Sequence, residues 1–270
     1  MSDRQRPIGV FDSGIGGLTV MHALMEALPA ERLVYFGDTA RVPYGPKSRE
    51  TVTRFSIENV ELLAGHGVKA VVVACNTATA FALPTLKERF DLPVVGVVEP
   101  GARAAVAATT TGRVGVIGTH GTIGSGAYRD ALEALRPELH VTSRPCPLFV
   151  PLAEEGWTDH PAARLAAEEY LAPFRDEGVD ALILGCTHYP LLKGVIGETL
   201  GDGVRLIDSA EETAREVGAL LGRRDLAREG GGRPEHRFLV SDLPEQFLRV
   251  GQRFLGSKIG SVDVVTAGSV

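Results

Sequence analysis

Two cysteines end two similar stretches of the chain. Residues 67–77 read GVKAVVVACNT and residues 178–188 read GVDALILGCTH, so Cys75 and Cys186 lie 111 positions apart in matching contexts. A strand that ends in such a polar turn places its thiol at the carboxyl edge of a parallel sheet, where open α/β folds bind ligands. If the two edges face each other, the thiols lie on opposite sides of one small molecule. That arrangement can move a proton across a carbon atom.

The context of the two thiols also favours reactivity. A helix is predicted over residues 77–86 and another from Thr187 onward, and the positive end of a helix lowers a thiol pKa from about 8.5 toward neutrality. A single free cysteine is more often a small buried apolar residue. The matched pair reverses that expectation, whereas Cys146, which lies between two prolines, is assigned to packing.

Other chemistries fit the residues less well. A metal site built from Cys75, Cys186 and His188 is a weak alternative, because Cys-Thr-His lacks the spaced ligand pairs of a structural zinc site. The chain has no C-x-x-C motif, and its glycine-rich turns match no nucleotide-binding fingerprint, so no metal or cofactor is expected. His188 alone could be a structural histidine, but beside Cys186 it is a candidate proton partner. Asp12, at a predicted strand end, could serve as a helix cap or in catalysis.

The composition restricts the class of protein. The chain has 270 residues, enough for about two domains, and 28 Lys and Arg against 34 Asp and Glu give a net charge of −6. With no basic block, nucleic acid is not expected as a partner. Three cysteines indicate a reducing compartment, and no apolar run approaches the roughly 20 residues of a membrane span. We therefore expect a soluble, cytoplasmic protein.

Strands and helices alternate along the chain, and the order repeats. Gly9 and Gly115, each in an apolar run that enters a glycine-rich turn, are 106 positions apart, close to the spacing of the two cysteines. We predict an α/β fold of two similar parallel-sheet units, flavodoxin-like or Rossmann-like, related by a pseudo-twofold axis with the active site between them. The tail is predicted to form a strand, a helix and a last strand after a mobile surface loop over 223–234. The acidic pair Glu154 and Glu155 is predicted on a surface turn.

Taken together, these motifs resemble the glutamate racemases of bacterial peptidoglycan synthesis, in the aspartate/glutamate racemase superfamily. The resemblance covers about residues 8–208. The matching segments occur in order: Asp12-Ser-Gly-Ile-Gly-Gly17, Gly37-Asp38 with Pro43-Tyr-Gly45 and Lys47-Ser48, Ala74-Cys-Asn-Thr-Ala78, Glu99-Pro100, Gly118-Thr119 with Gly121-Thr122, Pro151-Leu152 with Glu154, and Gly185-Cys-Thr-His-Tyr-Pro190.

The resemblance implies a cofactor-independent, two-base racemisation of glutamate that supplies D-glutamate for the cell wall. Cys75 and Cys186 would be the acid/base pair, assisted by Asp12 and His188, with Glu154 or Glu155 as a further acid. The substrate contacts that it implies are Asp12, Ser13, Tyr44, Gly45, Asn76, Thr77, Thr119, Thr122, Thr187 and His188. It also places the tail on the first unit, giving domains of 1–97 plus 209–270 and of 98–208.

Two other functions remain open at this point. The same chemistry could act on aspartate or another small amino acid, since pocket depth cannot be read from a sequence. The two units could instead form a non-catalytic amino-acid or anion binder with redox-sensing cysteines. A homodimer is plausible because symmetric dimers are common.

Overall fold

The structure, a computed structural model, describes residues 2–230, 234–256 and 259–268. Its strands form two parallel sheets. The first sheet has the order β10-β9-β2-β1-β3-β4 and the second has the order β6-β5-β7-β8. The strands are β1 (Ile8–Asp12), β2 (Leu33–Gly37), β3 (Ala70–Val73), β4 (Val94–Gly96), β5 (Arg113–Gly118), β6 (His140–Pro145), β7 (Ala181–Gly185), β8 (Arg205–Ile207), β9 (Arg237–Val240) and β10 (Asp263–Val264).

The two sheets repeat one topology. The order β2-β1-β3-β4 in the first sheet corresponds strand by strand to β6-β5-β7-β8 in the second. The register repeats as well, since Gly9 pairs with Val71 and Gly115 pairs with Leu182, each four residues before its cysteine. The predicted fold of two similar parallel α/β units is confirmed.

Helices cover the sheets, and their positions follow from caps and buried faces. The helices are α1 (Leu18–Ala27), α2 (Arg49–Gly65), α3 (Asn76–Arg89), α4 (Val98–Ala108), α5 (His120–Gly124), α6 (Ala127–Leu135), α7 (Phe149–Glu155), α8 (Pro161–Asp176), α9 (Lys193–Leu200), α10 (Ser209–Arg223) and α11 (Pro244–Leu255). The Ser48 side chain caps α2 by accepting from the Thr51 amide. The Asp208 side chain caps α10 by accepting from the Ala210 amide. Strands β1, β3 and β7 are buried along their whole length, as expected of parallel strands covered on both faces.

Two local predictions are wrong. Glu154 and Glu155 lie in the last turn of α7 rather than on a turn, because apolar Phe149 and Ala153 face the core and drive helix formation. No α-helix starts at Thr187. A short 3-10 helix, Tyr189–Leu192, follows instead, and α9 begins only after it.

The tail extends the first sheet. Strand β9 pairs with β2, β10 pairs with β9, and α11 packs on α1. Helix α10 packs on both α1 and α4, so it bridges the two sheets. On this strand distribution we propose the two units already stated, a first unit of 1–97 plus 209–270 and a second unit of 98–208. The predicted loop over 223–234 falls partly outside the described residues, since 231–233 are not among them, and its mobility stays a prediction.

No helix in the described ranges has the length and apolar character needed to cross a membrane.

Candidate active site

The carboxyl ends of the central strands carry the predicted site residues. Asp12 ends β1 and Cys75 follows β3 by two positions, so they flank the point where the strand order of the first sheet reverses. Thr119 follows β5 and Cys186 follows β7 at the equivalent point of the second sheet. Parallel sheets bind ligands in the crevice at this reversal point.

Hydrogen bonds join the two sheet edges directly. The hydroxyl of Thr77 lies 2.9 Å from that of Thr119 and 3.1 Å from that of Thr122. The Tyr128 hydroxyl donates to the Asn76 side-chain oxygen at 2.6 Å. The two edges therefore face each other, and the loops after their strands build one site.

Glycines permit this close approach. A Cβ at Gly16 would lie 2.3 Å from the Thr187 hydroxyl and 2.5 Å from His188 Nδ1, so any side chain there would displace those groups. The carbonyl of Gly45 accepts a hydrogen bond of 2.8 Å from the Gly121 amide across the interface. The glycine-rich turns thus serve contact between the two sheet edges rather than phosphate binding.

The Cys75 thiol is held in a buried polar setting. Its Sγ accepts from the Ala78 amide at 3.5 Å and lies 3.7 Å from the Ser13 hydroxyl. Asp12 is fully buried, and its Oδ2 accepts from the Gly14 amide at 2.9 Å while its Oδ1 has no hydrogen-bond partner among the described residues. An unpartnered buried carboxylate oxygen is costly, so it marks a position that a ligand could satisfy.

Burial reverses the predicted effect of the helix on Cys75. The cap contact with α3 does lower the thiol pKa, but burial, followed by the charge of Asp12, outweighs it and raises the pKa to about 12. The pKa of Asp12 is also raised by burial, against the opposing influence of His188. The expectation of a Cys75 pKa near neutrality is therefore wrong, and burial favours the protonated thiol.

The Cys186 thiol has a histidine neighbour instead of a helix N-terminus. His188 Nδ1 lies 3.8 Å from Cys186 Sγ, and His188 Nε2 lies 2.8 Å from Glu154 Oε1. Burial alone would lower the pKa of His188, but hydrogen bonds to Cys186 and Glu154 raise it to about 10. These two contacts therefore favour the protonated form of the ring. Glu154, and not the exposed Glu155, is the acid that contacts it.

Tyr44 is placed differently from the other predicted contacts. Its hydroxyl donates to the buried Asp38 and accepts from Asn59 Nδ2 at 3.1 Å, so it already has partners within the first unit. Arg41 also bonds Asp38, at 2.7 Å, and this network fixes the loop that presents Gly45. Asp38 belongs to one of the motifs that match the glutamate racemases, but no function was predicted for it. Tyr128 was not predicted as a site residue, because no motif surrounds it in the sequence.

Both thiols are nearly closed to solvent, with 6% of each cysteine exposed. Within the ranges that the structure describes, no three His, Cys, Asp or Glu side chains are arranged to hold a metal ion. Cys146 is fully buried in a hydrophobic cluster of the second unit, and its Sγ donates to the Arg144 carbonyl at 3.7 Å, as expected of a packing residue.

The chain is similar to known amino-acid racemases over nearly its whole length. The Asp/Glu/Hydantoin racemase family matches residues 8–217. A glutamate racemase of Geobacter metallireducens is 58% identical over 257 residues, 95% of each chain. Among solved structures, glutamate racemase RacE1 of Bacillus anthracis superposes with a TM-score of 0.93 at 44% identity, covering 97% of this chain and 98% of its own. The Francisella tularensis glutamate racemase solved with D-glutamate gives 0.93 at 41% identity, covering 99% and 100%.

These matches span nearly the whole chain. The chain belongs to the Asp/Glu/hydantoin racemase family. Within that family, every relative described above carries the name glutamate racemase.

Proposed function

We propose that this protein interconverts L- and D-glutamate by proton transfer at Cα between two thiols, without a cofactor. The names of its relatives support the substrate. One observation carries the mechanism: Cys75 and Cys186 follow equivalent strands of two facing sheets, and each has its own polar partner. The D-glutamate formed would serve cell-wall synthesis.

The chemistry requires a base on each face of the stereocentre. In one direction the Cys186 sulfur, beside His188, acts as the base and removes the Cα proton, and the electron pair remains as carbanion character next to the carboxylate. The protonated Cys75 then delivers its proton to the opposite face, which leaves that sulfur anionic. The reverse direction exchanges the two roles. Donors fixed before reaction, in a site that excludes water, stabilise the developing charge.

The polar groups between the thiols suit an amino acid. We propose that Asp12 Oδ1, which has no hydrogen-bond partner among the described residues, accepts from the ammonium group of the substrate. Hydroxyl and amide groups on both sides are suited to the carboxylates. We propose as substrate contacts Asp12, Ser13, Tyr44, Gly45, Asn76, Thr77, Thr119, Thr122, Thr187 and His188. For Tyr44 the contact would come from the ring or backbone, since its hydroxyl is engaged by Asp38.

The low exposure of the thiols implies that the site opens to admit substrate. We propose that the two units separate and close again about the segments that join them, near residues 97 and 209. Small-angle X-ray scattering with and without glutamate tests this motion. Superimposable profiles would argue against it.

Proton exchange at Cα tests the reaction itself. In D2O, each enantiomer of glutamate should yield the other with deuterium at Cα, as followed by optical rotation and NMR. Cys75→Ala and Cys186→Ala should each abolish racemisation, while the matched control Cys146→Ala should retain it because that thiol only packs. Full activity in either of the first two variants would refute the mechanism.

The alternative substrate is aspartate, which would undergo the same chemistry with a shorter side chain. The relation to proteins named glutamate racemase favours glutamate. The ratio of kcat/KM for glutamate to that for aspartate decides the question, and a ratio below one would reverse the assignment.

We also propose a homodimer. Twofold dimers are the commonest assemblies, and α7, α8 and their flanks expose Leu148, Trp157 and Leu165, large apolar side chains suited to a buried surface. Sedimentation equilibrium should give twice the chain mass of 28.7 kDa. A mass of one chain at micromolar concentration would contradict it.

A further inference from the structure

Helix α11 makes two contacts with the Cys186 side of the site that the reaction described above does not use. The ring of Phe254 meets the His188 imidazole edge to face, with centroids 5.2 Å apart and planes at 80°. The neighbouring Arg253 donates from Nη1 to the main-chain carbonyl of Glu154 at 2.8 Å. His188, which contacts Cys186, and Glu154, which contacts His188, thus both meet adjacent residues of one helix.

This helix is seated on the first unit. Phe247 packs on Tyr35 of β2, with ring centroids 5.8 Å apart. Gly251 lies so close to α1 that an added Cβ would be 2.9 Å from Leu18 Cδ1. His188 and Glu154, by contrast, are carried by segments around the second sheet. The contacts of Phe254 and Arg253 therefore cross the boundary between the two units.

The orientation of the His188 ring decides what it can do. Nδ1 must point toward Cys186 while Nε2 points toward Glu154, and a rotation of the ring breaks both contacts. Phe254, which is only 4% exposed, packs edge to face against this ring and so restricts its rotation. Arg253 fixes the backbone of Glu154 at the carboxyl end of α7, where a cation is favoured by the helix dipole.

We propose that Phe254 and Arg253 are positioning residues. They hold His188 and Glu154 in the orientation that directs His188 Nδ1 toward Cys186 when the units close. The proposal rests on the racemase function proposed above and adds to it. Closure completes the Cys186 half of the site through α11. The Cys75 half has its partners, Asp12 and Ser13, within its own unit and needs no such contact.

Reaction rates alone cannot locate the affected thiol. The equilibrium constant between two enantiomers is one, so any variant must lower kcat/KM equally in both directions. Primary isotope effects identify the affected thiol. If proton transfer to and from Cys186 is slowed, removal of the Cα proton limits the rate more strongly for the enantiomer that Cys186 deprotonates. The test therefore compares L- and D-glutamate carrying deuterium at Cα, in the full-length enzyme.

The variants are Phe254→Leu, Phe254→Ala, Arg253→Met and Arg253→Lys, with Arg249→Met as the control from an exposed position of α11. We expect Arg253→Met and Phe254→Ala to lower kcat/KM roughly tenfold, by analogy with the lower end of the loss that follows removal of groups orienting metal-bound histidines. The isotope effect should rise for one enantiomer only. Arg253→Lys should recover most of the rate, and Arg249→Met should match the native enzyme.

Several outcomes would overturn the proposal. Unchanged rates in Arg253→Met and Phe254→Leu would do so, and so would a rate loss with isotope effects that change equally for both enantiomers. If Phe254→Ala fails to fold, as judged by circular dichroism, the exposed Arg253 and the conservative Phe254→Leu still decide the question. Failure of the racemase assignment itself is distinct, since the native enzyme would then exchange no Cα proton.

Discussion

The replacement Glu154→Gln removes a charge from the site and keeps its shape. A glutamine at this position retains a side-chain oxygen that can accept from His188 Nε2, now 2.8 Å from Glu154 Oε1. What is lost is the negative charge that helps to raise the pKa of His188 to about 10. The variant therefore measures how far the carboxylate supports the imidazolium, and through it the Cys186 base.

The magnitude follows from the contact. A hydrogen bond between charged groups contributes about 1.5–3 kcal/mol. Since 1.36 kcal/mol corresponds to about one pKa unit, the pKa of His188 should fall by about 1–2 units. Glu154 is 31% exposed, so solvent screens part of the interaction and the lower end is expected. If the same energy is lost in the transition state, kcat falls about tenfold.

Two measurements check this prediction. Two-dimensional NMR of protein labelled with 15N histidine gives the pKa of His188, with His188→Asn used to assign its resonance. The pH dependence of kcat should show its alkaline limb moved to lower pH by the same amount. Glu155→Gln is the matched control, because that carboxylate is exposed and should change neither quantity.

The reasoning would be refuted if the pKa of His188 were the same in Glu154→Gln and the native protein. It would also fail if the pKa fell as expected and the pH profile of kcat did not move. The second result would mean that His188 does not assist Cys186.

Three further predictions concern stability and packing. Gly16→Ala should lower kcat at least tenfold because the added Cβ would lie 2.5 Å from His188 Nδ1, whereas Gly222→Ala, with open space around it, should leave kcat unchanged and stability equal or higher. Lys69→Met should cost about 3–5 kcal/mol in urea unfolding, because it leaves the buried Glu31 carboxylate without its cation at 2.6 Å, and an unchanged midpoint would contradict this. Because the pKa of His188 is raised from 6.5 to about 10, its stabilising effect should be complete below pH 6.5 and disappear as pH rises to about 10. The difference in unfolding free energy between native protein and His188→Asn should shrink over that range, and a constant difference would argue against a charged ring.

The fold was predictable because each signal in the chain acts locally. Apolar runs that end in glycine-rich turns specify parallel strands and crossover helices, and the near-equal offsets of the glycine and cysteine pairs revealed the repeat that the sheet orders confirm. The departures occurred where tertiary contacts decide. Helix α7 forms because Phe149 and Ala153 pack into the hydrophobic core of the second unit, and no pattern in the local sequence predicts that packing.

The site was predictable in its residues but not in its electrostatics. Cys75 and Cys186 follow matching strands, as their sequence contexts indicated. The pKa of Cys75 could not be read in the same way, since it depends on burial and on Asp12, which is 63 positions away in the chain. The contact of Phe254 with His188 joins the tail to the second sheet, and only the packed structure brings them together.

A crystal structure of the protein with glutamate bound tests the two-thiol mechanism most directly. The account predicts Cys75 Sγ and Cys186 Sγ on opposite faces of the substrate Cα, each within about 3–3.5 Å of it, the range for reacting atoms. A substrate with both sulfurs on one face, or with either sulfur out of reach of Cα, would contradict the mechanism.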